Sequence, residues 1–306
     1  MNEQEVIVAL ASSLVRVRKV DADSRSSFTA VYHALEDVER LIFHHKEEFG
    51  VHSVHFQQGC EEFLLLTNTL AMKTLQRSSP EDTVTSEQCG DLLQRAEQHT
   101  RHTGYLRSLP ESQHFNRRRA FRLITLNNLA CHAKHTSKPL VAVSFLERAL
   151  KLQLKTQATE STQTTIPASE IALTRLNLCA VLSQLHRHAA AVAHARAAVA
   201  QLSAIDGADN LSMEAAQLLL VAHYNLAVEH EHLHDRSAAC RQFESVVTVA
   251  ERYKIDNELV HSVRTILAQG SLRSRPGSKR ASSRARTPRE YQRRQQSPKT
   301  LRQSQA

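Results

Sequence analysis

Eighteen histidines are the first side chains to test for chemistry, because imidazole both binds metals and moves protons near neutral pH. His230 and His234 are spaced i,i+4, and His132 and His135 are spaced i,i+3, so each pair can share one side of a helix. A catalytic zinc needs a third protein ligand. Neither pair has an evident one, and no HExxH occurs, so the segment HEHLH (230–234) reads as helical surface. The five cysteines (Cys60, Cys89, Cys131, Cys179, Cys240) stand singly without a CxxC and read as small core residues of a reducing compartment. There is no GxGxxG, GxxxxGK[ST] or GxSxG. Lacking a glycine-rich loop or a strand-borne nucleophile, the chain is expected to be non-enzymatic, with no catalytic residue, no metal and no cofactor. Arg117-Arg118-Arg119 reads as a solvated helix face.

The other chemically informative segment is the C-terminal end. Residues 270–306 hold eleven Lys/Arg against the single acid Glu290, while the preceding 269 residues hold 28 Lys/Arg against 30 Asp/Glu. The net charge of +8 is therefore a property of the tail. The tail has almost no apolar content, so it cannot bury enough surface to offset the entropy of ordering, and it reads as disordered. Its charge suits a polyanion bound by counterion release: nucleic acid, an acidic microtubule surface or anionic lipid. Thr287-Pro288 and Ser297-Pro298 resemble proline-directed phosphorylation sites, and Arg280-Ala281-Ser282 a basophilic one, giving Ser282, Thr287 and Ser297 as candidate phosphate acceptors. A phosphate at each would remove up to about two units of charge.

The elements that would position any site are helices. Ala, Leu and Val supply the apolar content, aromatics are 5% and Trp is absent. Apolar residues recur at helical spacing over 5–20, 26–49, 53–77, 86–103, 111–136, 138–157, 168–187, 189–203, 211–234, 236–253 and 255–269. No stretch alternates convincingly as a strand. Ser24 or Ser26 is the expected cap of the second helix. Pro80, Pro110, Pro139 and Pro167 lie between helices or in a first turn. Gly50, Gly104, Gly207 and Gly270 fall where a helical period stops, as capping glycines do; Gly59 and Gly90 do not fit that scheme. The first twenty residues lack a signal-peptide layout and no apolar run approaches the ~20 residues of a membrane span, so a soluble intracellular protein is expected.

Three segments align without gaps. They begin at Asn128, Asn177 and Asn225, with starts 49 and 48 residues apart. Each opens Asn-Leu-small (Ala130, Cys179, Ala227). Fourteen residues after each Asn comes Ala142, Ala191 or Ala239. Leu146, Ala195 or Phe243 follows four further on, and then Ala149, Ala198 or Val246. Small residues at these places let two antiparallel helices approach closely, and the remaining apolar face must be covered by the next hairpin. The spacing resembles the tetratricopeptide repeat, in a form longer than the usual 34 residues, and most like the long-repeat group of motor and cytoskeletal adaptors. The resemblance covers about 120–254, with a more degenerate copy over 53–103 carrying Cys89, Leu93 and Ala96. It departs from the family at the first-helix Trp (here Leu126, Arg175, His223) and Tyr (here Ala133, Leu182, His230).

The resemblance implies an all-α superhelix of antiparallel hairpins. The expected organisation is an N-terminal helical region over 1–104, repeats over 105–254, a capping helix over 255–269 and the basic tail over 270–306. It further implies that first helices line a concave groove in which Asn128, Asn177 and Asn225 meet a peptide backbone. Asn127, Lys134, Leu173, Gln184, Tyr224 and Glu231 are their main neighbours, together with Cys131, His135, Leu176, Ala180, Ser183, Val228 and His232. Lys134 is the single cation there, so a carboxylate clamp is not expected; a mixed or apolar peptide, or a helix, suits the groove. The expected function is an adaptor or scaffold that holds a protein partner, with the tail on an anionic surface, in a cytoplasmic, cytoskeletal or ciliary setting. The alternative is a nuclear, nucleic-acid-associated regulator acting through the tail.

Overall fold

The computed structural model describes residues 1–23, 26–50, 52–79, 82–101, 113–158, 167–206 and 211–273. The described residues form eleven α-helices and no strand: α1 (Glu3–Ala22), α2 (Phe28–Phe49), α3 (Val54–Arg77), α4 (Thr83–His99), α5 (Gln113–His135), α6 (Pro139–Ala158), α7 (Ala168–Gln184), α8 (His188–Asp206), α9 (Met213–His232), α10 (Arg236–Arg252) and α11 (Glu258–Arg273). Two compact units result, Met1–Thr165 with α1 to α6 and Ile166–Ala306 with α7 to α11. Within each unit, helices pack against their neighbours in sequence and against the next but one, as in a helical solenoid. The fold class is all-α, as the periodicity predicts.

Local chemistry sets the helix ends. Asn2 opens α1 with a capping box: its side chain accepts from the Glu5 N–H, and its own N–H donates to the Glu5 carboxylate at 2.9 Å. Ser27, Ser53, Asp82, Ser212 and Asp235 accept from the first turns of α2, α3, α4, α9 and α10. The α2 cap is thus Ser27, one residue beyond the expected Ser26. Pro139 is the first residue of α6 and Pro167 precedes α7, where a missing N–H costs nothing. Pro80, Pro110, Gly104 and Gly207 lie outside the described residues.

The repeat is visible as a repeated turn. Ser137, His186 and His234 have φ of 56°, 56° and 60°, and Lys254 follows with 52°. The first three sit between α5 and α6, α7 and α8, and α9 and α10. At each, the next N–H reaches back to a helix-end carbonyl: Lys138 to Ala133 (2.7 Å), Arg187 to Leu182 (2.9 Å) and Asp235 to His230 (2.9 Å). Ile255 does the same to Ala250 at 2.8 Å. These bonds satisfy the last carbonyls and reverse the chain within a few residues, so each pair of helices runs antiparallel. Of the expected capping glycines, Gly50 is the C-cap of α2 and Gly270 is not a cap. Gly50 ends α2 at φ −61°, in the right-handed region, and α11 continues through Gly270 to Arg273.

The small residues lie where close helix approach demands them. Ala142, Ala191 and Ala239 are 0%, 0% and 2% exposed, and Leu146, Ala195, Phe243, Ala149, Ala198 and Val246 are equally buried. In the second unit Ala198, Ala239, Phe243 and Val246 join Leu202, Leu219, Leu220, Val260 and Val263 in one core. In the first unit, helices α1 to α3 rely on larger side chains (Val6, Leu10, Leu14, Val38, Ile42, Phe56, Phe63). There the two unassigned glycines find their role. A Cβ on Gly59 would stand 2.3 Å from Leu10 Cδ2, and one on Gly90 would stand 2.5 Å from the His132 ring. Gly59 is a notch for α1 in α3, and Gly90 is a notch for α5 in α4. Ala191→Leu is expected to cost about 1–3 kcal/mol by overpacking the α7–α8 crossing. Gly90→Ala should also destabilise, because His132 is anchored by a 2.8 Å bond to the Ser86 carbonyl and cannot simply swing away. Urea denaturation followed by circular dichroism measures both.

Candidate functional site

The first-helix residues expected to line a groove divide between the two units. In the first unit, Asn127, Cys131, Lys134 and His135 follow one stripe of α5 and are half-buried. Asn127 donates to the Leu123 carbonyl of its own helix at 3.0 Å. Burial lowers the Lys134 ammonium from its ordinary range and raises the Cys131 thiol.

Asn128 does not present its amide to a face. It is 7% exposed, and its NH2 donates to the Asn68 carbonyl oxygen at 2.8 Å. Asn68 in turn donates to the Leu64 carbonyl (2.9 Å) and the Thr125 hydroxyl (3.0 Å), and Thr125 donates to the Phe121 carbonyl (2.8 Å). This closed chain of buried polar groups ties α5 to α3. Every member has a partner, which is what makes the burial tolerable.

In the second unit, α7 and α9 pack on one another and on α8. On α7, Leu173 is 45% exposed, Asn177, Ala180 and Ser183 are half-buried, and Gln184 is exposed. On α9, Tyr224, Asn225 and Val228 are half-buried, and Glu231 and His232 are exposed. Among the described residues neither Asn177 nor Asn225 enters an amide pair of the Asn68–Asn128 kind. Leu176, expected beside them, is instead core at 4% exposure. The Tyr224 ring leans on Phe243 with centroids 6.1 Å apart, and burial, then the Glu231 charge, raises its phenol. The accessible residues of α7 and α9 thus include Leu173, Tyr224 and Val228, the amides Asn177 and Asn225, and the Glu231 carboxylate.

The histidine pairs resolve into structural roles. His234 is the left-handed residue beyond α9, so it does not share a helical face with His230, whose ring lies 3.9 Å from Asp235. Among the described residues, no group of three His, Cys, Asp or Glu is placed to hold a metal. The sequence reading missed a hydrogen bond to a buried carboxylate: Glu229, 3% exposed on α9, meets His188 Nδ1 of α8 at 2.9 Å, and that ring stacks on His232 at 4.3 Å. Their spacing, 41 residues apart, gives no local signal. Arg118, expected on a solvated face, is buried at 9% exposure; burial and the charges of Arg122 and Arg119 lower its guanidinium. The Arg117 side chain and the acceptors Ser282, Thr287 and Ser297 lie outside what the structure describes.

No family model matches this chain, and no curated protein matches it. Among solved structures, the crystal structure of BtubC (BKLC) from P. vanneervenii overlaps it with a TM-score of 0.41 at 16% identity, covering 91% of this chain and 98% of that one. An overlap of that quality carries no argument about function. Among the described residues, no helix is long and apolar enough to cross a membrane.

Two solution measurements follow. Asn128→Ala leaves Asn68 without its buried donor and should destabilise by about 1–3 kcal/mol; the urea midpoint reports it. The second concerns pH. His132, His223 and His45 are held below the ordinary imidazole value of 6.5, by burial first in each case. Positive neighbours add to this for His132 and His45, while the Gln242 bond opposes it for His223. The unfolded chain takes up protons as pH falls through about 6.5, and the folded chain does so only at lower pH. Their contribution is thus complete above that value and is lost on acidification. The urea midpoint should fall between pH 7 and pH 5.5, with a shallower fall in His223→Gln.

Proposed function

We propose that this chain is a non-enzymatic adaptor or scaffold of tetratricopeptide type. Its helical hairpins hold a peptide or helix of a protein partner, and its basic tail tethers the assembly to an anionic surface such as a microtubule. The supporting observation is the α7–α9 face: exposed Leu173 and half-buried Tyr224 and Val228 supply apolar ground, and Asn177 and Asn225 supply donor and acceptor groups not engaged in an amide pair. An amide can donate and accept together, so it pairs with a backbone whatever its side chains. With Glu231 the sole formal charge among the residues named there, the preferred occupant is a mixed or apolar segment. A cytoplasmic, cytoskeletal setting belongs to the same reading.

The charge of residues 270–306 supports a second reading, in which the tail binds nucleic acid and the helices carry it. The two separate cleanly in one experiment. Tagged full-length protein, a Leu173→Asp/Asn225→Ala variant and a chain lacking 270–306 are compared for captured proteins and nucleic acid. The adaptor reading expects protein partners to survive tail removal and to bind the double variant roughly tenfold more weakly, with its helicity unchanged. Capture that depends wholly on the tail, with affinity falling steeply with salt, would transfer the function to the tail.

A further inference from the structure

The first unit contains a concentration of cations that its fold does not explain. Glu97, near the end of α4, is 3% exposed. It accepts from Arg101 through Nε at 2.8 Å and Nη2 at 2.7 Å, and from Arg148 of α6 through Nη2 at 2.6 Å. Arg122 of α5 adds a third guanidinium at 3.6 Å. Three positive charges thus converge on one carboxylate. Among the described residues the Glu97 charge favours the charged form of Arg122, while Arg148 and Arg101 repel it. Among the described residues the buried Arg122 Nε has no hydrogen-bond acceptor. The three side chains nevertheless remain 48%, 30% and 40% exposed (Arg101, Arg122, Arg148), so part of each reaches solvent.

A fold that needed only to neutralise Glu97 would use one arginine, because each further guanidinium brings repulsion and side-chain ordering cost. The planar forks of guanidinium groups match the oxygens of phosphate in paired hydrogen bonds. Three arginines and one glutamate leave an excess of two positive charges. A single carboxylate would compensate one of them; a phosphate monoester, with about −1.5 to −2 charge at pH 7, compensates both. We propose that Arg101, Arg122 and Arg148, held around Glu97, form a binding site for a phosphate group. Glu97 acts as the pivot that fixes three otherwise mobile side chains toward one point. The site lies within the first unit and does not depend on the α7–α9 face.

The test is hydrogen–deuterium exchange of the full-length protein in inorganic phosphate, against sodium chloride of equal ionic strength. At phosphate ten times its dissociation constant, amides that exchange through opening of the α4–α6 region should slow about tenfold, since ligand binds only the closed form. The slowing should centre on 95–101, 118–125 and 145–151. Arg148→Gln should abolish it; Arg101→Gln approaches the carboxylate from the other side, and whichever variant keeps the wild-type melting curve decides. O-phosphoserine serves as a second probe. Slowing by both ligands marks a phosphorylated side chain as the source, and slowing by inorganic phosphate alone marks the free ion. No slowing in α4–α6, equal slowing in the folded variant, or slowing confined to 270–306 overturns the proposal.

Discussion

Two helices can approach closely only where the side chains between them are small, and the hairpins of α5 to α10 depend on that condition. Ala142, Ala191 and Ala239 open the second helix of each pair and are almost fully buried. Alanine contributes little apolar area of its own. What it permits is contact between the larger residues to either side, so Leu146, Phe243 and Val246 are buried as a consequence. The left-handed turns at Ser137, His186 and His234 keep the same 49- and 48-residue step. They fix how soon the chain returns, and therefore which alanine meets which partner. Turn and crossing must agree, since a slip of one residue would carry a small residue round the helix by about 100° and bring a large one into the crossing.

The first unit meets the same geometric demand by other means. Over α1 to α4 the core is built mainly of Val, Leu, Ile and Phe, and Gly59 and Gly90 are points of close approach. Its α2–α4 seam is ionic: Arg95 reaches Glu36 and Asp91 at 3.1 Å and also pairs with Glu39, which His99 contacts in turn. Against the opposing effect of burial, His99 and Arg95 pull Glu39 below the ordinary carboxylate range, His33 and Arg95 do the same to Glu36, and the carboxylates hold the Arg95 guanidinium charged. A single partly exposed pair adds little, but one arginine shared among three carboxylates is orientational: it fixes the angle of α2 on α4 where no repeated alanine does so.

All eleven helices could be read from apolar spacing, because a helix that buries one stripe must write that stripe into its sequence. The alanine crossings were legible for the same reason. Features that depend on distant partners were not. Gly90 is explained only by His132 and Gly59 only by Leu10, and nothing in the local sequence names those neighbours. Left-handed Ser, His and Lys residues escaped notice because the usual signal there is glycine, which accepts positive φ without strain. Arg118 looked solvated within a run of three arginines. Burial follows from which helix lies opposite, and composition does not record that.

The clearest case is the repeated asparagine. Asn128, Asn177 and Asn225 occupy one position of one motif, yet they have different fates. Another amide, Asn68, stands 60 residues before Asn128 on α3, and a hydrogen bond joins the two inside the first unit. Asn177 and Asn225 are half-buried and meet no such partner among the described residues. Sequence equivalence fixes the place of a side chain on its helix, while the facing helix decides whether that side chain serves the fold or remains available. At the repeat position α7 and α9 therefore carry the amides without such a partner, which is why the proposed binding surface is placed on the second unit and Asn128 serves the architecture of the first.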